Sequence, residues 1–122
     1  MPETPDLDSA DLDPENAKIV TLARSALART GAAEGAAVRD TEGRTYTGVT
    51  VSLPSLALTA LQAALVAAVA SGATGLEAAA VVSDSAAVDA DSLAAVRDLG
   101  PTALVLLADR RGELSSVLSS TG

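Results

Sequence analysis

Histidine and cysteine are both missing from this chain. Without cysteine there is no disulfide framework, no thiolate nucleophile and no sulfur-ligated metal site. Without histidine, the usual acid–base group near neutral pH and the commonest metal ligand are gone as well. The two absences together remove Ser-His-Asp and Cys-His catalysis and ordinary structural zinc. Phenylalanine and tryptophan are absent too, and Tyr46 is the single aromatic residue. The core must therefore be built from leucine, valine and alanine. Such small side chains each remove little area from water, at roughly 25 cal/mol per Å². Further burial by self-association into a homo-oligomer, a dimer or tetramer, is therefore expected.

A chain of 122 residues that is 48% apolar reads as one globular domain. The formal net charge of −8 argues against nucleic-acid binding through a basic face. That charge is unevenly placed. Residues 1–15 carry Glu3, Asp6, Asp8, Asp11, Asp13 and Glu15 and no base, and the remainder is close to balanced. Residues 1–15 read as a disordered, solvated acidic tail, with a partner-binding arm as the alternative, and residues 16–122 as the domain. Met1 is followed by acid and Pro2 rather than by a basic and then apolar run, so no secretory signal is read and a cytoplasmic location is expected.

The longest apolar stretch, LALTALQAALVAAVASG from Leu56 to Gly72, has only Thr59 and Gln62 as polar residues before Ala70. It predicts a central helix buried on most sides. It is too short, and too lacking in basic or aromatic flanks, to read as a membrane span.

Around it the chain alternates. Asp13, Pro14 and Glu15 predict a capped helix start, with a stripe through Ile19, Leu22, Ala23, Ala26 and Leu27 ending at Gly31. Residues 35–39 and 44–51 read as a hairpin turning at Asp40-Thr41-Glu42-Gly43, with Tyr46, Gly48 and Thr50 on one face of the second strand. Glu77–Ser83 and Ala103–Ala108 read as covered strands flanking a helix at Ser92–Leu99 capped by Asp89 or Asp91, and Glu113–Leu118 as a short final strand. The pattern predicts a three-layer α-β-α sandwich with a mixed sheet.

These residues also resemble a family. Gly35–Gly48 is similar to the hairpin of the cytidine deaminases, and Leu58-Thr59 sits where that family begins its central helix. Ala80–Ser85, Gly100-Pro101, Leu104–Ala108 and Gly112-Glu113 follow in family order. The resemblance implies the cytidine deaminase fold. Zinc deaminases use a His or Cys followed two residues later by Glu on the central helix, and P-C-x-x-C on the next helix. Here the first ligand position falls on Leu61 and the glutamate position on Ala63, while the other ligand positions fall on Asp89 and Ser92. The family's sugar-holding asparagine and glutamate fall on Thr50 and Ser52, and its loop aromatic on Ala32. Zinc lowers the pKa of bound water by roughly 9 units, on the order of 12 kcal/mol, which serine and threonine hydroxyls cannot replace.

The reading is therefore a non-catalytic relative, free of metal and cofactor, acting as an oligomeric scaffold or protein-interaction module with a possible protein partner. Two alternatives stand beside it. One is a small-molecule binder or residual deaminase using an altered pocket at Thr50, Ser52, Leu61, Ala63, Asp89 and Ser92. The other is a hydrolase holding a hard cation on Asp84, Asp89 and Asp91, although aspartates in a loop before a helix are more simply turn and cap residues. Thr59 and Gln62 read as satisfied core polar groups, Tyr46 as packing, and Arg110-Arg111 as a solvated turn.

Overall fold

The computed structural model describes residues 12–119. Helix α1 (Pro14–Thr30) begins where the sequence signals it. The Asp13 side chain accepts the Glu15 N–H, proline occupies the first turn, and Gly31 closes the helix at φ 65°. Strands β1 (Gly35–Asp40) and β2 (Thr45–Val49) form the expected hairpin, pairing Gly35 with Val49 and Val38 with Tyr46. Strand β5 (Leu76–Val82) lies antiparallel on the other side of β1, and β6 (Leu104–Ala108) runs parallel to β5. Helix α3 (Ala90–Leu99) joins these two, and β7 (Leu114–Ser119) closes the sheet antiparallel to β6. The five-stranded mixed sheet has the order β2-β1-β5-β6-β7.

Helix α1 covers one face of this sheet, burying Ile19, Val20, Ala23 and Leu27 against Ala37, Ala80, Val82 and Leu106. The other face carries α2 (Ala60–Ala70) and α3, where Leu61, Ala64, Leu65 and Val96 pack on Ala36, Val38, Val81 and Leu107. Covered on both faces, the central strands read as almost continuous apolar runs, which is the pattern expected of strands between two layers. The layers approach closely because the sequence puts glycine at the contacts. A Cβ on Gly35 would lie 2.3 Å from the Ala23 carbonyl oxygen, and one on Gly48 would lie 2.3 Å from the Ala64 nitrogen.

Two expectations about Leu56–Gly72 are corrected. The helix begins at Ala60, not Leu56, because Thr59 caps it: its hydroxyl accepts the Gln62 N–H and the Gln62 side chain accepts the Thr59 N–H. This reciprocal capping box fixes the first turn. Leu56–Leu58 instead form strand β4, paired with β3 (Val51–Leu53) across Pro54 and Ser55 in a separate two-stranded hairpin. The expected second strand, 44–51, is accordingly divided at Thr50. Nor is the helix covered nearly all round, since Val66 and Val69 on its outer face are 55% and 57% exposed.

Among the described residues no helix is long and apolar enough to cross a membrane. The acidic tail expected over residues 1–15 lies outside the described residues as far as Asp11, while Asp13, Pro14 and Glu15 form the cap and first turn of α1.

One buried charge stands apart. Asp40, 1% exposed at the β1–β2 turn, accepts the N–H groups of Glu42 and Arg44, each at 2.9 Å, on Oδ1 and the Tyr46 hydroxyl at 2.8 Å on Oδ2. Burial pushes the Asp40 carboxyl up, but these three donors outweigh it and hold the group below its usual range. The same bond to Asp40, and then burial, raise the Tyr46 phenol above its ordinary value. The only aromatic residue of the chain thus serves the hairpin turn as well as packing beneath α2.

Candidate functional site

A cleft of about 590 Å³ opens at the carboxyl ends of β5 and β6, where open α/β sheets generally place ligands. Five chain segments meet there. Ala33 and Glu34 precede β1, and Thr50 to Ser52 leave β2 for the small hairpin. Ala57, Leu58, Thr59 and Gln62 carry the entry to α2, Ser83, Asp84 and Ser85 follow β5, and Arg110 follows β6.

Most polar groups in this cleft hold one another. The Thr50 hydroxyl accepts the Glu34 N–H at 3.0 Å. The Ser83 hydroxyl, on a residue 4% exposed, donates to Glu34 Oε2 at 2.6 Å and accepts the Ser85 N–H at 3.0 Å. Arg110 Nε donates to Asp84 Oδ2 at 2.8 Å, and its Nη2 donates to the Ala33 carbonyl at 3.4 Å. The turn that presents Arg110 is tied by Asp109. The N–H of Glu113, and then that of Arg111, hold the Asp109 carboxyl below its ordinary range against a smaller opposing effect of burial.

Of the six residues singled out from the sequence as an altered pocket, Thr50 and Ser52 line the cleft. The other four lie outside its lining. Leu61 is 1% exposed in the core beneath α2, and Ala63 sits on the turn of α2 nearest Gly48. Asp89 caps α3, its Oδ2 accepting the N–H groups of Asp91 at 3.0 Å and Ser92 at 3.2 Å. The buried Ser92 hydroxyl bonds the Thr59 hydroxyl at 2.7 Å, so the start of α3 is pinned to the cap of α2.

Glu34 is the residue that sequence reasoning missed. An isolated glutamate in a loop before a strand carries no spacing signal, and it acquires meaning only because β5 brings Ser83 to it. Thr59 and Gln62 were legible as satisfied polar groups, and the T-x-x-Q spacing of a capping box was the signal that would have placed the helix start.

The fold is an α-β-α sandwich with a mixed sheet, and comparison with known proteins places it. A profile of the cytidine deaminase-like family matches residues 12–112. Among solved structures, a cytidine deaminase from Burkholderia pseudomallei superposes with a TM-score of 0.74 at 26% identity, over 84% of this chain and 91% of its own. The cytidine deaminase from Mycobacterium tuberculosis gives 0.65 at 26% identity, over 78% and 85%. That from Mycobacterium leprae gives 0.72 at 23% identity over 88% and 95%, a likeness that speaks for the fold alone. No match is found among curated proteins. The chain belongs to the cytidine deaminase-like family.

The family's zinc does not fit the residues present. By the resemblance, its first ligand position falls on the aliphatic Leu61 and the position of the glutamate beside it on Ala63, and the chain has no histidine or cysteine to supply a ligand from elsewhere. The oxygen-bearing pair, Asp89 and Ser92, is engaged in capping and in the bond to Thr59. Among the described residues no group of three or more acidic side chains is gathered to hold a metal ion, and Asp84 is paired with Arg110 rather than with Asp89 or Asp91.

Proposed function

We propose that this chain is a non-catalytic member of its family that works as an oligomeric scaffold or protein-interaction module in the cytoplasm. The observation that carries the reading is a chain without histidine or cysteine in which the family resemblance sets Leu61 and Ala63 where a metal ligand and a proton-shuttling glutamate are required. An alkyl side chain neither binds zinc nor moves a proton.

The scaffold half of the proposal is supported by α2. Its outer face leaves Val66 and Val69 open in a groove of about 640 Å³ whose other walls are Leu58, Leu65, Ala70, Ala95 and Leu99, with Gln62 and Asp98 as its polar members. A mostly apolar surface of this kind on a small domain supports a protein contact. The core contains no aromatic residue but Tyr46, so burial between copies adds what small side chains leave short. The acidic residues at the start of the chain offer, in this reading, a complement to a basic partner. Sedimentation velocity tests the assembly: dimers or tetramers at micromolar concentration are expected, and monomer alone would contradict it.

A second reading, small-molecule binding, is favoured by the cleft itself, with Thr50 and Ser52 in its wall. Thermal stabilisation by an added ligand is its test.

A further inference from the structure

The cleft contains one charge that its own surroundings leave partly unanswered. Glu34 presents two carboxylate oxygens. Oε2 accepts the Ser83 hydroxyl at 2.6 Å, and that hydroxyl is oriented by the Ser85 N–H it accepts. Oε1 has no hydrogen-bond partner among the described residues. The cation in the cleft, Arg110, makes no bond to it: its Nε donates to Asp84 at 2.8 Å and one Nη2 N–H to the Ala33 carbonyl at 3.4 Å. The Asp84–Arg110 pair is neutral as a unit, so Glu34 leaves the cleft with a net negative charge. Around it Val51, Ala57 and Leu58 make the walls largely apolar.

A carboxylate with one oriented and one open oxygen, in a mostly apolar recess, is complementary to a donor-bearing cation on a compact apolar body. It is less favourable for an anion, which would meet Glu34 directly and would have to compete with Asp84 for Arg110. We infer that this cleft binds a small organic cation, an amidinium or primary ammonium on a short apolar body, through the open oxygen of Glu34, in preference to phosphorylated ligands. This deepens the small-molecule reading given above and rests on the cleft, not on the assembly of the chain.

The test is isothermal titration calorimetry of the full chain with benzamidine, and in parallel with inorganic phosphate. Benzamidine binding with a Kd of about a millimolar or tighter is expected, as is loss of affinity between about 0.02 M and about 0.3 M salt. Glu34→Gln, which keeps the shape and the Ser83 contact, should weaken binding about tenfold or more. Arg110→Gln should tighten it several-fold by freeing the Asp84 carboxylate. Circular dichroism melting of each variant reports that it is folded, and if Glu34→Gln does not fold, the sign of the Arg110→Gln effect decides instead. Equal affinity for wild type and a folded Glu34→Gln, no benzamidine binding, or tighter binding of phosphate than of benzamidine would each overturn the inference. Thermal stabilisation by a neutral ligand without benzamidine binding would sink the Glu34 inference yet leave the small-molecule reading standing, so the two can fail separately.

Discussion

Replacing Gly48 with alanine tests how the central helix is held on the sheet. A Cβ at this position would stand 2.3 Å from the Ala64 nitrogen, 2.7 Å from the Ala60 carbonyl oxygen and 2.8 Å from the Ala63 carbonyl carbon. Nonbonded carbon contacts prefer about 3.5–4.0 Å, so α2 must retreat from β2 by about 1 Å. All three obstacles are backbone atoms, and no side-chain rotation can relieve them. A gap of that width forfeits about a quarter to a half of each contact it opens. The helix seats Ala60, Leu61, Ala64, Leu65 and Ala68 along this face. With three backbone atoms in the way, the combined loss falls at the upper end of overpacking costs, about 3 kcal/mol, against a total stability of about 5–15 kcal/mol for a domain. For a chain of 122 residues each kcal/mol is worth about 4 °C, so a fall of about 12 °C in Tm is expected, read by far-ultraviolet circular dichroism. Gly43→Ala provides the contrast. Gly43 has φ 83° and nothing within 4 Å of its added Cβ, so the cost is backbone strain alone, about 1 kcal/mol. If the two variants melt within a few degrees of each other, close helix–sheet approach is not what glycine provides at position 48.

Further outcomes follow from other contacts. The folded-state pKa of Asp40 lies below its unfolded value, so its contribution is fully present above the unfolded value near about 4 and is lost as pH falls through the folded one. The stability gap between wild type and Asp40→Asn should therefore be flat at neutral pH and shrink in acid; a gap unchanged at low pH would contradict this. Tyr46 is the only aromatic residue, so a phenolate absorbance titration reads it alone. Its midpoint should lie above about 10 and move back toward that value in Asp40→Asn. Thr59→Ala removes the α2 cap and strands the buried Ser92 hydroxyl, for a loss of about 2–3 kcal/mol in chemical denaturation, whereas Thr59→Ser should cost less than about 1 kcal/mol. The double change Val66→Lys with Val69→Lys should shift sedimentation toward monomer without lowering Tm at a concentration where the wild type is monomeric, because both side chains are more than half exposed.

Where the sequence carried a mechanism, it could be read. Asp13 before Pro14, the Asp40–Gly43 turn and Asp89 before α3 each act through local chemistry, and each lies where its residues signal. Apolar identity alone was weaker. Leu56–Leu58 and Ala60–Ala70 are equally aliphatic, and a three-residue strand running into a helix has no periodicity of its own. Only the cap distinguishes them, through side-chain bonds between Thr59 and Gln62. The cleft was half legible. Thr50 and Ser52 are in its wall, but Leu61 lies in the core, Ala63 on α2, Asp89 caps α3 and Ser92 bonds Thr59. Glu34 was hidden because its partner, Ser83, is 49 residues away in the chain.

The account turns on whether a reaction centre made of Leu61 and Ala63 can do the family's chemistry. The direct measurement is ammonia release from cytidine by purified protein, with zinc added and the metal content of the protein determined on the same sample. Release at the rate of the buffer blank, with no stoichiometric zinc retained, is the predicted result. Ammonia released at an enzymatic rate would contradict the account, whatever the metal content.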